Sequence, residues 1–341
     1  MTTKPASTPT PALAAIPEVS SVVSGFPPDE PFAGALPAMD PAATPWPGRM
    51  FEVGGYMLHV RETPGPHAVT AVFVHGLGGS ATNWTDLAGR LSGHARGFAI
   101  DLPGFGRSRP PADYSFTPAV QARAVIAFLE RHCGRAVNLV GNSLGGLISV
   151  LVTADRPDLV RTLTLISPAV PDLRPDLRRM SDPRLALSYL PLIGGRARRS
   201  VSALTLTERV EQMQRLCFAE PWNCQPARIE QTMAEFAERD AMPWARMALG
   251  AAALGMVRTW LVPGAASLWR QLRRVFAPTL VIWGAEDRLI SVRKAPRTMH
   301  ALRDGRLLVL PRTGHVAQME RPDTVARAIL GMWAAQSLPS G

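Results

Sequence analysis

The stretch Gly141-Asn142-Ser143-Leu144-Gly145 decides how the rest of this chain is interpreted. The apolar run at 136–141 predicts a buried strand, and the run at 144–154 predicts a helix. Glycines two positions on either side of a serine permit a sharp strand-to-helix turn that exposes the hydroxyl above a sheet. We therefore expect Ser143 to be a nucleophile and the Leu144 N–H to lie at the positive end of a helix.

Strands and helices alternate on both sides of this turn. Further strands are predicted at 51–53 and 56–61 (a hairpin around Gly54-Gly55), 69–75, 98–101, 163–167, 279–283 and 306–310, with helices at 117–132, near 293–302 and from 322. Such alternation is typical of a mostly parallel, twisted sheet flanked by helices.

The alternation stops over residues 171–274, which are rich in Arg, Met, Trp and Leu at helical spacing. A helical segment inserted between two strands of one sheet is expected to form a lid, so 49–170 and 275–341 form the core domain. Residues 1–48 contain 11 of the 32 prolines and no apolar period. We expect this segment to be a disordered tail that cannot pack on the domain.

A serine hydroxyl needs a base to become nucleophilic. His315 follows the last predicted strand, where an imidazole can reach over the strand ends. Asp287 follows the preceding strand and can accept the imidazole N–H, which fixes the tautomer. Its neighbour Glu286 carries the same functional group, so the choice between the two carboxylates stays open at this point.

Two backbone donors are expected to bind the oxyanion, one from Leu144 and one from Leu77. Leu77 lies in the loop His75-Gly76-Leu77-Gly78-Gly79, directly after a buried strand. We expect His75 to hydrogen-bond within this loop rather than to act as a second base. The loop lacks the G-K-[ST] sequence and the dinucleotide spacing of phosphate-binding loops.

Composition excludes several classes of protein. The chain has 341 residues, 46% of them hydrophobic, which is enough for a large core. Its net charge of +10 comes from scattered arginines and only two lysines, without a nucleic-acid-binding motif, so no nucleic-acid partner is expected. The apolar run 247–257 is too short to span a membrane, for which about 20 residues are needed.

The three cysteines, Cys133, Cys217 and Cys224, form neither a disulfide framework nor a metal-ligand pattern. They are expected to be reduced, which favours the cytoplasm. Residues 1–48 also lack the basic start and long apolar run of a signal peptide.

Together these motifs resemble the lid-bearing α/β-hydrolase fold family of serine hydrolases, over about Phe51 to Trp333. The matching pieces are His75–Ser80, Asn83-Trp84, Asp101–Ser108, Gly141–Gly146, Gly284–Asp287, Gly314-His315 and Gln318–Pro322. The resemblance implies a triad of Ser143, His315 and Asp287 rather than Glu286. It also implies acyl transfer without a metal or an organic cofactor.

Two branches of that family are similar to this chain. Asn142 and the Gly-His-x-x-Gln sequence resemble the meta-cleavage product hydrolases, which cut carbon–carbon bonds. Where those enzymes often carry tryptophan, this chain has Val316 and Met319. Carboxylesterases and monoacylglycerol lipases share the triad without these extras. The resemblance therefore implies hydrolysis of a hydrophobic ester, with carbon–carbon hydrolysis as an alternative and a non-enzymatic ligand-binding protein as a third.

The predicted lid has unusual apolar bulk, which either lines an acyl-chain pocket or packs the lid helices together. The residues concerned are Met180, Leu190, Leu192, Phe218, Trp222, Met233, Phe236, Trp244, Met247, Trp260 and Trp269. Arg196, Arg198 and Arg199 either contact an acidic head group at a lipid surface or form a solvated basic turn. The sequence does not indicate an oligomeric state.

Overall fold

A computed structural model describes residues 22–24, 32–40, 42–172 and 204–336. The strands are β1 Val22–Ser24, β2 Gly48–Val53, β3 Tyr56–Thr63, β4 Thr70–Val74, β5 Arg96–Ile100, β6 Val137–Asn142, β7 Val160–Ile166, β8 Thr279–Gly284 and β9 Gly305–Leu310. The α-helices are α1 Thr85–Leu91, α2 Pro118–His132, α3 Leu144–Asp155, α4 Leu206–Cys217, α5 Pro226–Asp240, α6 Ala245–Leu261, α7 Leu268–Leu272, α8 Ala295–Ala301, α9 Ala317–Glu320 and α10 Pro322–Ala335.

The described strands form one sheet in the order β1-β9-β8-β7-β6-β4-β5-β3-β2. All neighbouring strands from β5 through β4, β6, β7 and β8 to β9 are parallel. The hairpin β2–β3 and the short β1 are antiparallel at the two edges. Every residue of β4, β6 and β8 is buried, as expected of strands covered on both faces. The predicted mostly parallel α/β sheet is confirmed.

Helices cover both faces of this sheet. On one face α2 and α3 contribute Phe128 and Leu147 to the core, and on the other α1 and α10 contribute Leu87 and Ile329. Helix α2 begins where the sequence predicts, with Thr117 accepting a hydrogen bond from the Val120 N–H. Helix α1 was not predicted.

The N-terminal segment differs from its prediction. Arg327 Nη1 donates to the carbonyl oxygens of Phe32 (2.7 Å) and Gly34 (2.9 Å), and Trp46 Nε1 donates to Thr85 O at 2.9 Å. The Phe32 and Trp46 rings also pack on the core beside α1 and α10. The prediction of an unpacked tail over residues 1–48 is therefore wrong for its described part, to which β1, paired with β9, also belongs. Isolated aromatic residues and arginine-to-carbonyl bonds hold residues 32–47 without any regular period.

The insertion between β7 and β8 is helical in its described part, which contains α4 to α7. In the ranges that the structure describes, no helix is long and apolar enough to cross a membrane. Six residues singled out in the predicted lid, Met180, Leu190, Leu192, Arg196, Arg198 and Arg199, lie outside the described residues.

Candidate active site

Ser143 lies at the turn between β6 and α3 with φ +53° and ψ −118°, a conformation that few non-glycine residues adopt. A Cβ atom at Gly145 would overlap the carbonyl oxygen of Val74, and one at Gly141 would overlap that of Gly145. The two glycines of the motif are therefore required by close backbone packing. They allow the serine to occupy the strained position between them.

His315 and Asp287 form a buried pair. His315 Nδ1 lies 2.8 Å from Asp287 Oδ2, and the Asp287 side chain is fully enclosed. Asp287 Oδ1 accepts hydrogen bonds from the N–H groups of Leu289 (2.8 Å) and Ile290 (3.0 Å). Because all these partners donate to the carboxylate, His315 carries its proton on Nδ1 and Nε2 can accept one. Glu286 is exposed to solvent instead.

The backbone of His315 is held from two sides. Its N–H donates to Cys217 O at 2.7 Å, and its carbonyl oxygen accepts from Asn142 Nδ2 at 3.1 Å. The preceding residue, Gly314, donates its N–H to the Glu320 carboxylate at 2.6 Å. Asn142, the last residue of β6, therefore links the loop of His315 to the strand that precedes Ser143.

Ser143 and His315 line the same cavity, which has a volume of about 540 Å³. This volume is in the range of small-molecule sites. Among the described residues no hydrogen bond joins Ser143 to the imidazole, and such contacts are often longer without substrate. The apolar part of the lining is formed by Leu77, Leu204, Met213, Leu216, Phe218, Phe236, Met256, Trp260, Leu289, Ile290, Val316 and Met319.

The loop after β4 lies directly against the nucleophile. A Cβ atom at Gly76 would be 3.1 Å from the Cβ of Ser143, so Gly76 allows a backbone approach that a side chain would hinder. Within the described part of the chain, neither the Leu77 N–H nor the Leu144 N–H has an intramolecular acceptor. Neither predicted oxyanion donor thus has a competing acceptor among these residues, as the predicted role requires.

His75 has a structural role in this loop. Its Nδ1 lies 2.8 Å from Gly76 O, and its Nε2 accepts from the Leu102 N–H at 3.1 Å. Burial lowers the pKa of His75, which favours this neutral form. Because both ring nitrogens are occupied, His75 is not available as a second base.

Residues 71–322, which include Ser143, Asp287 and His315, match the model of the alpha/beta hydrolase fold family. The chain belongs to this family. It is 28% identical over 293 residues to the dihydrolipoyllysine-residue acetyltransferase component of an acetoin cleaving system in Pseudomonas putida, covering 85% of this chain and 70% of that protein. It is 26% identical over 270 residues to the 2-hydroxy-6-oxo-6-(2'-aminophenyl)hexa-2,4-dienoic acid hydrolase of Metapseudomonas resinovorans, covering 76% and 82%.

Solved structures agree on the fold. A bacterial membrane phospholipase A described as a virulence factor superimposes with a TM-score of 0.66 at 24% identity, over 85% of this chain and 86% of that one. This likeness concerns the fold alone. The α/β-hydrolase family assigns this chain to the hydrolases, while its substrate has to be argued from its own residues.

One part of the site of this α/β-hydrolase was not predicted, and it comes from the insertion. Arg239 on α5 donates from Nη1 to Gly78 O at 2.8 Å, and the Glu235 carboxylate accepts from Ser80 Oγ at 2.9 Å. Burial raises the pKa of Glu235. These two side chains fasten α5 to the loop that carries Leu77. Ser80 and Glu235 are 155 residues apart in sequence, so no local pattern could indicate their contact.

Proposed function

We propose that this α/β-hydrolase cleaves carboxylic esters with a hydrophobic acyl group through an acyl-enzyme. Ser143 is the nucleophile, His315 the base, and Asp287 the acid that orients the base. The observation that carries the proposal is the largely apolar cavity of about 540 Å³ on which Ser143 and His315 both open. A polar site with the same triad would favour a different class of substrate.

In the first step His315 Nε2 takes the proton of Ser143 Oγ as that oxygen attacks the ester carbonyl. The negative charge that develops on the carbonyl oxygen is bound by the N–H groups of Leu77 and Leu144. Asp287 stabilises the imidazolium through its hydrogen bond with Nδ1. The proton then passes from Nε2 to the alkoxide, which leaves as the alcohol.

In the second step water replaces the alcohol. His315 Nε2 accepts a proton from the water molecule while its oxygen attacks the acyl-enzyme carbonyl, and the same two N–H groups bind the oxyanion. The proton returns to Ser143 Oγ as the acid is released. The residues of this chain suffice for every proton transfer, and no metal or organic cofactor takes part in the proposed steps.

The acyl chain is proposed to lie among the apolar residues of the inserted helices. Phe218, Phe236 and Trp260, which the sequence singled out, line the cavity together with Met213 and Met256. Methionine side chains adapt to ligands of different shape. Trp222 and Met247, two more of the apolar residues for which the sequence left lining or lid packing open, are 76% and 61% exposed and do not line it.

Carbon–carbon hydrolysis is the second candidate, favoured by the similarity to the dienoic acid hydrolase. The residues beside His315 argue for the ester. Val316 and Met319 line the cavity with aliphatic side chains that fit a flexible chain. Asn142, which suggested the carbon–carbon class, donates its amide to Ile166 O and His315 O and is thereby explained as a structural link.

A substrate panel tests the proposal. For p-nitrophenyl esters kcat/KM should rise severalfold from acetate over the first few carbons, because each buried CH₂ contributes up to about 0.8 kcal/mol, and then level off. Ser143→Ala should abolish turnover and labelling by a fluorophosphonate. If a ring-fission dienone is cleaved about a hundredfold faster than every ester, the ester assignment is wrong and the second candidate replaces it.

We also propose that the enzyme resides in the cytoplasm. All three cysteines are free, and disulfide bonds are typical of proteins in oxidising compartments and rare in the cytoplasm. Fractionation of the source cells tests this location, and recovery of the protein in the extracytoplasmic fraction would contradict it.

A further inference from the structure

The outer face of α6 carries an exposed apolar stripe. Met247, Leu254 and Leu261 are 61%, 49% and 61% exposed, and they follow one another at intervals of seven residues. Gly250 and Val257 lie between them on the same face and are also exposed. Because seven residues make almost two helical turns, the five positions form one continuous strip about 80° wide.

The opposite face of α6 already has its partners. Ala248, Ala252 and Gly255 are buried, with Ala248 beside Gly104 and Gly255 beside Thr117. The exposed strip is therefore a second apolar face, which the packing of the described residues leaves in solvent. Contiguous exposed apolar surface of this kind marks a site of interaction with a protein or a membrane.

The charged residues of α6 and of the segment that follows it are all arginines. Arg246 and Arg258 border it on its two sides at helical spacing, both are exposed, and neither forms an ion pair within the described residues. From residue 241 to residue 285 the sequence contains five arginines and no aspartate or glutamate. The nearest preceding carboxylate, Asp240, is ion-paired with Arg209.

An apolar strip between arginines fits the surface of a bilayer that contains anionic lipid. The apolar side chains enter the boundary between head groups and acyl chains, while the arginines contact lipid phosphates. A protein partner would instead need an acidic surface to contact the arginines and a groove to receive the strip.

We propose that α6 docks this enzyme on anionic phospholipid membranes through Met247, Leu254 and Leu261, flanked by Arg246 and Arg258. Helix α6 also lines the active-site cavity, through Met256 and Trp260, which lie outside the stripe on other sides of the helix. Docking through α6 therefore places a helix that lines the cavity at the lipid surface. Combined with the proposed function, on which this step rests, it makes the substrate an ester of a membrane lipid.

Flotation with lipid vesicles tests the docking separately from catalysis. The Ser143→Ala protein is mixed with vesicles of phosphatidylcholine alone or of phosphatidylcholine with phosphatidylglycerol. We expect about tenfold stronger binding to the anionic vesicles, weakened by high salt. Leu254→Gln/Leu261→Gln should reduce that binding about tenfold, and Arg246→Gln/Arg258→Gln should remove the preference for anionic lipid.

Met50→Gln/Met57→Gln is the matched control, because these two methionines are each 44% exposed and belong to the β2–β3 hairpin rather than to α6. It should bind vesicles unchanged. Leu254→Gln/Leu261→Gln with Ser143 intact should keep its turnover of a soluble butyrate ester and lose turnover of vesicle lipid. If the unsubstituted enzyme does not hydrolyse the soluble butyrate ester, the proposed function is refuted, whereas the docking result remains valid.

Two results would overturn the docking proposal. One is vesicle binding that Leu254→Gln/Leu261→Gln leaves intact. The other is an absence of vesicle binding combined with a dimer in light scattering that the same substitutions convert to a monomer. That second result would assign the stripe to another copy of the chain.

Discussion

Replacing Asp287 with asparagine isolates the charge of this carboxylate from its shape. The N–H groups of Leu289 and Ile290 both donate to Oδ1, so the amide oxygen of an asparagine must take that position. The amide NH₂ then takes the place of Oδ2, which lies 2.8 Å from His315 Nδ1. Two donors cannot face each other at this distance. The imidazole must then carry its proton on Nε2, and a protonated Nε2 cannot accept the proton of Ser143.

The magnitude follows from the loss of the correct tautomer. In serine proteases the equivalent substitution lowers kcat about 10⁴-fold, which corresponds to about 5 kcal/mol of transition-state stabilisation at about 1.4 kcal/mol per factor of ten. We expect a loss of the same order here. KM should change little, because Asp287 does not line the cavity.

The assay is steady-state hydrolysis of p-nitrophenyl butyrate by Asp287→Asn and by Glu286→Gln. The exposed Glu286 lies one residue away and has no bond to the histidine, so its variant should keep wild-type turnover. Thermal unfolding must show that both variants are folded. If folded Asp287→Asn retains more than about a tenth of wild-type kcat, the tautomer argument fails.

Three further predictions concern the insertion and the N-terminal segment. Arg239→Gln should lower kcat more than it raises KM, because the substitution frees the loop that carries Leu77. A raised KM with an unchanged kcat would contradict this role. The free energy of unfolding of the wild type should fall relative to that of Glu235→Gln as pH rises from about 4.5, because the raised pKa of Glu235 lets the native state hold this proton to a higher pH than the unfolded state does. If the unfolding free energies of the two proteins, measured with urea, change in parallel with pH, this prediction is wrong. Deleting residues 1–45 should lower the melting temperature by more than about 5 °C, because at about 2–4 °C per kcal/mol this corresponds to a few kcal/mol of packing and hydrogen bonding; an unchanged melting temperature would show that the segment contributes nothing.

The turn at Ser143 could be predicted because its constraints are local. Overlap with Val74 O and Gly145 O is a property of backbone positions within one strand-turn-helix unit, and glycine is the residue that avoids it. The parallel strands are predictable for a similar reason, since strands buried on both faces are continuous apolar runs. Sequence reasoning was correct for the parallel sheet and for its connecting helices 117–132 and 144–154.

The contacts of α5 with the Gly78–Ser80 loop depend on how the insertion packs over the sheet. An arginine and a glutamate on an amphipathic helix ordinarily indicate a solvated face. Nothing near Arg239 in the sequence distinguishes it from the exposed Arg246. The same limit applies to the cavity: Trp222 and Trp260 have the same apolar character, yet only Trp260 lines it.

The N-terminal segment shows a different limit of composition as a guide to order. A proline-rich stretch without a period lacks the apolar face that a helix or strand would bury, and such stretches usually stay unfolded. Here residues 32–47 need no regular structure, because the folded domain supplies the donors. Arg327 binds two of its carbonyl oxygens, Arg90 binds the Pro37 oxygen, and Trp46 binds Thr85 O. Prolines keep a chain extended and leave its carbonyl groups free, so a surface rich in arginine can order it.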